Sequence, residues 1–259
     1  MKLFDSHAHI TDSKFDASTE VGGFDKDNIS LCLTVGYDLV SSKKVSEFAS
    51  RFDKVYGAVG VHPHSASELT ESMCAELIGL AKDNPKIVAI GEIGLDYYRN
   101  LSPVTAQQKT MLRQMDIAEQ VGLPVIFHIR DAYSDMQKLI GQNLGKLKNG
   151  ALLHCFSGDA NEVKHYLSIK STDFYFSFSG VVTYKNSNCA EAIKVVPYDR
   201  LLIETDCPYL APEPYRGKLN RPAYVYFVAA KIAEILGKST EDVAEQTHTN
   251  ACRLFGISC

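Results

Sequence analysis

Eight short apolar or β-branched runs, near residues 3–9, 29–36, 55–62, 87–95, 124–130, 150–156, 174–179 and 201–206, alternate with stretches of helical periodicity along this chain. Such alternation calls for a parallel sheet with crossover helices, and eight units in 259 residues match the roughly 250 residues of a closed barrel. The predicted fold class is α/β: a TIM-type (β/α)8 barrel forming one domain over residues 1–259, with extra C-terminal helices. An open doubly wound sheet is the competitor. It lacks a Gly-x-Gly-x-x-Gly turn after the first strand, and it could not bring side chains from five strands to one point. Ser65 is expected to start a helix at Ala66, and Ser102-Pro103 another that runs to Val121. The tail predicts helices from about Arg221 to Leu236 and Thr240 to Phe255, with Gly237 as the stop between them, closing the barrel wall.

Metal-binding residue types sit at the ends of these runs. His7 and His9 end the first, Glu92 the fourth, His128 the fifth, His154 the sixth and Asp206 the eighth. A strand alternates faces with period two, so His7 and His9 point the same way and can grip one ion. In a (β/α)8 barrel the C-terminal strand ends carry the chemistry. Three or four histidines and two carboxylates there can fill two ion sites with Glu92 as the bridge, the arrangement that clamps both oxygens of an in-line displacement. The expected cofactor is two divalent metal ions, Mg, Mn or Zn. With two ions contributing more charge than Glu92 and Asp206 neutralise, the centre is positive and suits an anionic phosphodiester.

The motifs Asp5-Ser6-His7-Ala8-His9, Gly60-Val61-His62-Pro63, Gly91-Glu92-Ile93-Gly94-Leu95-Asp96-Tyr97, His154-Cys155-Phe156-Ser157-Gly158 and Glu204-Thr205-Asp206-Cys207-Pro208-Tyr209-Leu210 resemble the TatD family of metal-dependent deoxyribonucleases, from residue 3 to about 256. The resemblance implies an amidohydrolase-type barrel that removes nucleotides 3′ to 5′ from single-stranded DNA. It also implies that His7, His9, Glu92 and Asp206 hold one ion, and Glu92, His128 and His154 the other. Two departures stand out: Leu219-Asn220-Arg221-Pro222 replaces the usual Arg-Asn-Glu-Pro, and Thr11 stands where the family prefers an acidic or amide residue. Neither touches a predicted ligand.

Around these ligands, His62 in its Gly-x-His-Pro turn is a candidate contact to the substrate phosphate or leaving oxygen, and His64 reads as a helix-start residue. Arg130, two residues past His128, is either a fork donor to phosphate or the partner of Asp131 or a helix cap. Ser157 and Gly158, and Ser177, Ser179 and Gly180, form small-residue turns that either approach a phosphate or serve as plain turns. Arg216, Lys218 and Arg221 lie in a Pro/Gly-rich loop, as a backbone clamp or a solvated run. Asp5 and Glu204, in register with the ligands, would orient them from behind. Alternation turns Cys155 and Cys207 toward the helix layer as packing thiols, and His165 and His248 read as structural.

The predicted chemistry is metal-dependent phosphodiester hydrolysis, with Asp206 positioning the attacking water and taking its proton while Glu92 and His62 complete the catalytic set. Ligand histidines must be neutral, so activity should collapse as pH falls through about 6. The substrate would be single-stranded DNA, or RNA. The alternative is a metal-dependent ester or amide hydrolase, such as a deacylase of charged transfer RNA. A net charge of −4 excludes a generally basic surface for duplex binding. Seven cysteines without a Cys-x-x-Cys pair, and an amino terminus that enters a strand directly, predict a reduced, cytoplasmic setting. The apolar runs are too short for a membrane span, and no obligate protein partner is inferred.

Overall fold

The computed structural model describes residues 1–258. Its strands are β1 (Leu3–Ala8), β2 (Ile29–Val35), β3 (Val55–Val59), β4 (Ile87–Asp96), β5 (Val125–Arg130), β6 (Ala151–Leu153), β7 (Phe174–Phe178) and β8 (Leu201–Ile203). They pair in parallel in sequence order. The helices are α1 (Ala17–Gly22), α2 (Leu39–Ala49), α3 (Glu71–Asp83), α4 (Val104–Val121), α5 (Tyr133–Gln142), α6 (Ala160–Ser168), α7 (Cys189–Val195), α8 (Val225–Leu236) and α9 (Thr240–Phe255). The seam between β8 and β1 is stitched by side chains as well as backbone: Ser6 Oγ donates to Ile203 O at 2.9 Å, Thr205 N to Asp5 Oδ1 at 2.9 Å and Asp206 N to His7 O at 2.9 Å.

Helix boundaries follow local chemistry. Asp38, Thr70, Asp159 and Ser239 accept from the first-turn amides of α2, α3, α6 and α9, while Gly122, Gly237 and Gly256 end α4, α8 and α9 in the left-handed conformation. The helix expected after Ser65 is instead a 3-10 segment, Pro63–Glu68, kinked at Ser65, and α3 begins only at Glu71. Pro63 and the imidazole of His62, whose Nδ1 accepts from His64 N at 3.1 Å, hold this turn. Likewise Pro222–Tyr224 is a 3-10 turn, so α8 starts four residues later than the sequence suggests.

Two apolar layers result. The outer one packs strand residues such as Ile90, Ile93, Phe127 and Ile203 against the helices. Phe4, Leu33, Ala58, Ile126, Leu152, Tyr175 and Leu202 fill the inside, and Ala251, Leu254 and Phe255 of α9 plug its lower end. The last helix therefore stoppers the barrel, beyond closing its wall.

Bulges decide which residues reach the mouth. Ile90 and Ile93 both lie in the outer layer although they are three residues apart, and the β4–β5 register shifts between them. That extra residue turns Glu92 inward. In β1 the register shifts between Asp5 and Ala8, so Phe4 and His7 both face the interior. Asp5 is thereby taken out of the face shared by His7 and His9, contrary to its expected register.

Candidate metal centre

Strands β3, β6 and β8 end sooner than the apolar runs predict, because the chain turns away as it delivers its polar residues. Cys155 and Asp206 adopt φ of 43° and 55°, and these left-handed turns break strand alternation. One consequence corrects the expectation for Cys155: it lines the cleft, with Sγ 3.2 Å from Ser179 Oγ, instead of facing the helices. Cys207 is fully buried in an apolar cluster, as predicted.

Glu92 is the hub. Its Oε1 lies 2.7 Å from His128 Nδ1, 2.7 Å from His154 Nε2 and 3.4 Å from His62 Nε2. Its Oε2 is 3.5 Å from His7 Nε2 and 3.8 Å from His9 Nε2. Asp206 Oδ1 is 3.9 Å from His7 Nε2 and 3.5 Å from His9 Nε2. Three trios of ligand atoms, His7/His9/Asp206, His7/Glu92/His154 and His62/Glu92/His128, each fall within 4.8 Å. All six predicted ligands thus meet in one place, and His62 joins them.

Contacts behind the rings fix which nitrogen faces the hub. His9 Nδ1 donates to Val35 O at 2.8 Å, leaving the Nε2 lone pair inward. His154 Nδ1 faces Glu204 Oε1 at 3.3 Å, and Ser177 Oγ donates to the same carboxylate. His128 Nε2 is 3.4 Å from Asp96 Oδ2, which also takes His64 Nε2 at 2.8 Å. Lone pairs of His9, His128 and His154 therefore converge on acidic oxygens, and both ring nitrogens of His7 are buried without a hydrogen-bond partner. Buried acceptors facing one another need a cation between them. The donor set, imidazole with carboxylate, fits divalent metal.

Electrostatics follow from burial and mutual charge. Burial lowers the His7 pKa, and the neighbouring His154 adds to that; burial also lowers His62, to about 4, against the opposing pull of Glu92. Burial likewise disfavours charge on His9, His128 and His154, but Asp206, Asp96 and the Glu92–Glu204 pair respectively outweigh it and raise all three. Glu92 is held well below the usual carboxylate range: desolvation is overcome by His154 and His62. Asp206 is also lowered, its burial outweighed by the His9 hydrogen bond and the histidine charges.

The remaining predicted residues divide. Asp5, fully buried, accepts from Thr205 N, from Thr205 Oγ1 at 2.5 Å and from His7 N at 3.4 Å, so it positions backbone at the seam and no ligand ring. Glu204 does stand behind a ligand, as expected. His64 lies in the opening turn of the 3-10 segment, as its helix-start reading expects, and also belongs to the site through Asp96. The pairing of Asp96 with His64 is not legible in the sequence because 32 residues separate them, although Asp96 lies in one quoted motif and His64 directly follows another. Arg130 neither pairs with Asp131 nor caps a helix; its guanidinium lies 3.9 Å over the Tyr98 ring at the cleft rim. Arg216 lies 4.3 Å over Tyr184. Ser157 lines the cleft, its N–H donating to Tyr133 Oη at 3.3 Å, and Ser179 is buried against Cys155. Gly180 is small for a packing reason, since a Cβ there would stand 2.1 Å from Leu210 O. In the divergent loop, buried Asn220 donates to Thr205 O at 2.8 Å and Tyr209 O at 2.5 Å, and Arg221 pairs with Glu20 at 3.0 Å, away from any phosphate role.

The profile of the family described as TatD related DNase matches residues 4–256. The chain belongs to the TatD family. This TatD protein is 39% identical to the uncharacterized metal-dependent hydrolase YabD of Bacillus subtilis, over 99% of this chain and 100% of that one. It is 34% identical to the 3′-5′ ssDNA/RNA exonuclease TatD of Citrobacter rodentium, over 99% and 98%. Among solved structures, the TatD homologue YJJV of Escherichia coli K12 superposes with a TM-score of 0.91 at 23% identity, covering 99% and 98% of the two chains, which shows the shared fold. As a family member the protein is a metal-dependent hydrolase. No helix among the described residues is long and apolar enough to cross a membrane.

Proposed function

We propose that this TatD protein is a phosphodiesterase acting as a 3′-5′ exonuclease on single-stranded DNA or RNA, dependent on two divalent ions that would share Glu92 as a ligand. The observation that carries this reading is the convergence of five imidazoles on the Glu92 carboxylate at the mouth of the barrel, with Asp206 facing two of them, His7 and His9. Relatives named as exonucleases over nearly their whole length support the substrate class.

His7, His9, Glu92 and Asp206 would hold one ion, and Glu92, His128 and His154 the other. When bound, the ions supply a nucleophilic water near neutral pH and neutralise charge on the phosphoryl oxygens. Asp206, whose side chain reaches the cleft and stays ionised, would orient the attacking water and accept its proton. His62 is neutral above about pH 4, and because its Nδ1 accepts from His64 N, its proton is on Nε2, aimed at Glu92 and the phosphate position. Arg130 at the rim offers a planar fork to a phosphate oxygen. The same reading keeps the cytoplasm as the compartment expected from the cysteine pattern.

An end-labelled single-stranded oligonucleotide, digested with Mg, Mn or Zn, tests this. Stepwise shortening from the 3′ end, abolished by chelator and by Glu92→Ala, is expected. Intact DNA alongside metal-dependent hydrolysis of an ester or of aminoacyl-tRNA would replace this reading with the deacylase.

A further inference from the structure

Among the described residues eight large apolar side chains are exposed; three of them, Tyr37, Leu101 and Tyr209, line this one cleft of about 830 Å³, and a fourth, Tyr98, packs against its Arg130. Scattered exposed rings are ordinary, whereas a cluster at a charged centre marks a binding surface. Tyr37 follows β2 and Tyr209 follows β8, so both flank β1 and His9. Their ring centroids stand 5.8 Å and 6.3 Å from that of His9, edge-on, and they are 40% and 50% exposed.

Neither ring sits on a loose tether. Tyr37 N donates to Ser41 Oγ at 2.9 Å, and Tyr37 O accepts from His62 N at 2.9 Å. Tyr209 N donates to Asp206 O at 3.0 Å, and Tyr209 O takes the buried Asn220 amide at 2.5 Å. Lys14 Nζ lies 4.7 Å over the Tyr209 ring, adding a cation on that side. Across the barrel mouth, beyond the ligands of β4 and β5, stands the stack of Arg130 on Tyr98. The centre is thus bracketed by two fixed aromatic rings on one rim and a guanidinium–ring pair on the other.

We propose that Tyr37 and Tyr209 form a stacking platform for the bases of a single strand whose phosphates continue toward Arg130. This inference rests on the phosphodiesterase reading above and assigns that substrate its base-binding residues. Any base has a π-face, so the platform accepts sequence freely, and it requires bases not already paired and stacked in a duplex. Nearby Lys14 and Arg130 complement the backbone charge.

The test uses single-stranded decamers in which one of the last three 3′ nucleotides lacks its base, compared with the intact decamer. Base–aromatic stacking predicts that wild type cleaves the intact strand roughly 10-fold or more better than at least one abasic strand. In Tyr37→Ala and Tyr209→Ala, singly and together, that ratio should shrink toward one, and Tyr→Phe at either position should retain it. Because each variant is its own reference, a general loss of activity leaves the ratio readable, and the Phe variants report separately. Equal cleavage of intact and abasic strands by wild type, or an unchanged ratio in the double Ala variant, would overturn the platform. Failure of wild type to cleave any of the decamers would instead sink the phosphodiesterase reading, and the platform with it.

Discussion

Glu204 Oε1 stands 3.3 Å from His154 Nδ1, on the side of the ring away from Glu92. Since Glu204 is fully buried and shared with Ser177, it holds the imidazole with its Nε2 lone pair toward the hub. Replacing such a partner typically costs about 10–100-fold in metal affinity or activity. Glu204→Gln should therefore weaken divalent-metal binding by that factor in a chelator competition. Undiminished affinity would show that His154 is oriented without it.

Gly94 makes a second prediction, on stability. Its φ is 145°, and a Cβ would lie 2.0 Å from the carbonyl oxygen of His128, its register partner on β5. Backbone strain and overpacking each cost about 1–3 kcal/mol. Gly94→Ala should lower unfolding free energy by about 2–5 kcal/mol in a urea titration and also loosen metal binding by displacing His128. A variant as stable as wild type would contradict the close approach of β4 and β5.

Metal-free protein should be most stable near pH 6.5. Below that value His7 and His62, lowered in the fold, take up protons more readily when unfolded, so their stabilisation is lost as pH falls; Asp5, pushed up to about 8 by burial against its three hydrogen bonds, opposes one of the two. Above it, raised His9, His128 and His154 keep protons that the unfolded chain releases, so stability falls with rising pH. Thermal melts in chelator from pH 5 to 8.5 read this out. Divalent metal must displace those protons, so its affinity should climb through and beyond pH 6.5, and metal-loaded protein should gain stability over the range where metal-free protein loses it. A chelated protein whose melting temperature rises steadily to pH 8.5 would rule this out.

Glu92→Ala should cost on the order of 10³-fold in hydrolysis, because a metal centre that has Glu92 as its shared ligand would supply several kcal/mol of charge stabilisation. Saturating metal, about 100-fold above Kd, should stabilise wild type by about 2.7 kcal/mol per bound ion over chelated protein, and this variant by clearly less in total. Equal metal stabilisation of both would remove Glu92 from the hub.

The barrel and its ligands were legible in the sequence because both depend on local patterns, eight apolar runs and polar residues at their ends. What could not be read were the register shifts in β1 and β4 that aim the site residues. Alternation puts Asp5 with His7, yet the β1 shift separates them; in β4 the shift between Ile90 and Ile93 brings Glu92 inward. The same limit applies to Cys155, where a left-handed residue after a three-residue strand sends its thiol to the cleft. Pairing of His64 with Asp96, and of Arg221 with Glu20, depends on contacts across 32 and 201 residues, which periodicity does not encode.

Metal stoichiometry tests the central claim most directly. Wild-type protein, stripped and then equilibrated with Mn or Zn near pH 7.5, should retain two ions per chain by elemental analysis, and Glu92→Ala no more than one. A wild type that holds no divalent ion, or a Glu92→Ala variant that keeps both, would contradict a centre built around this carboxylate.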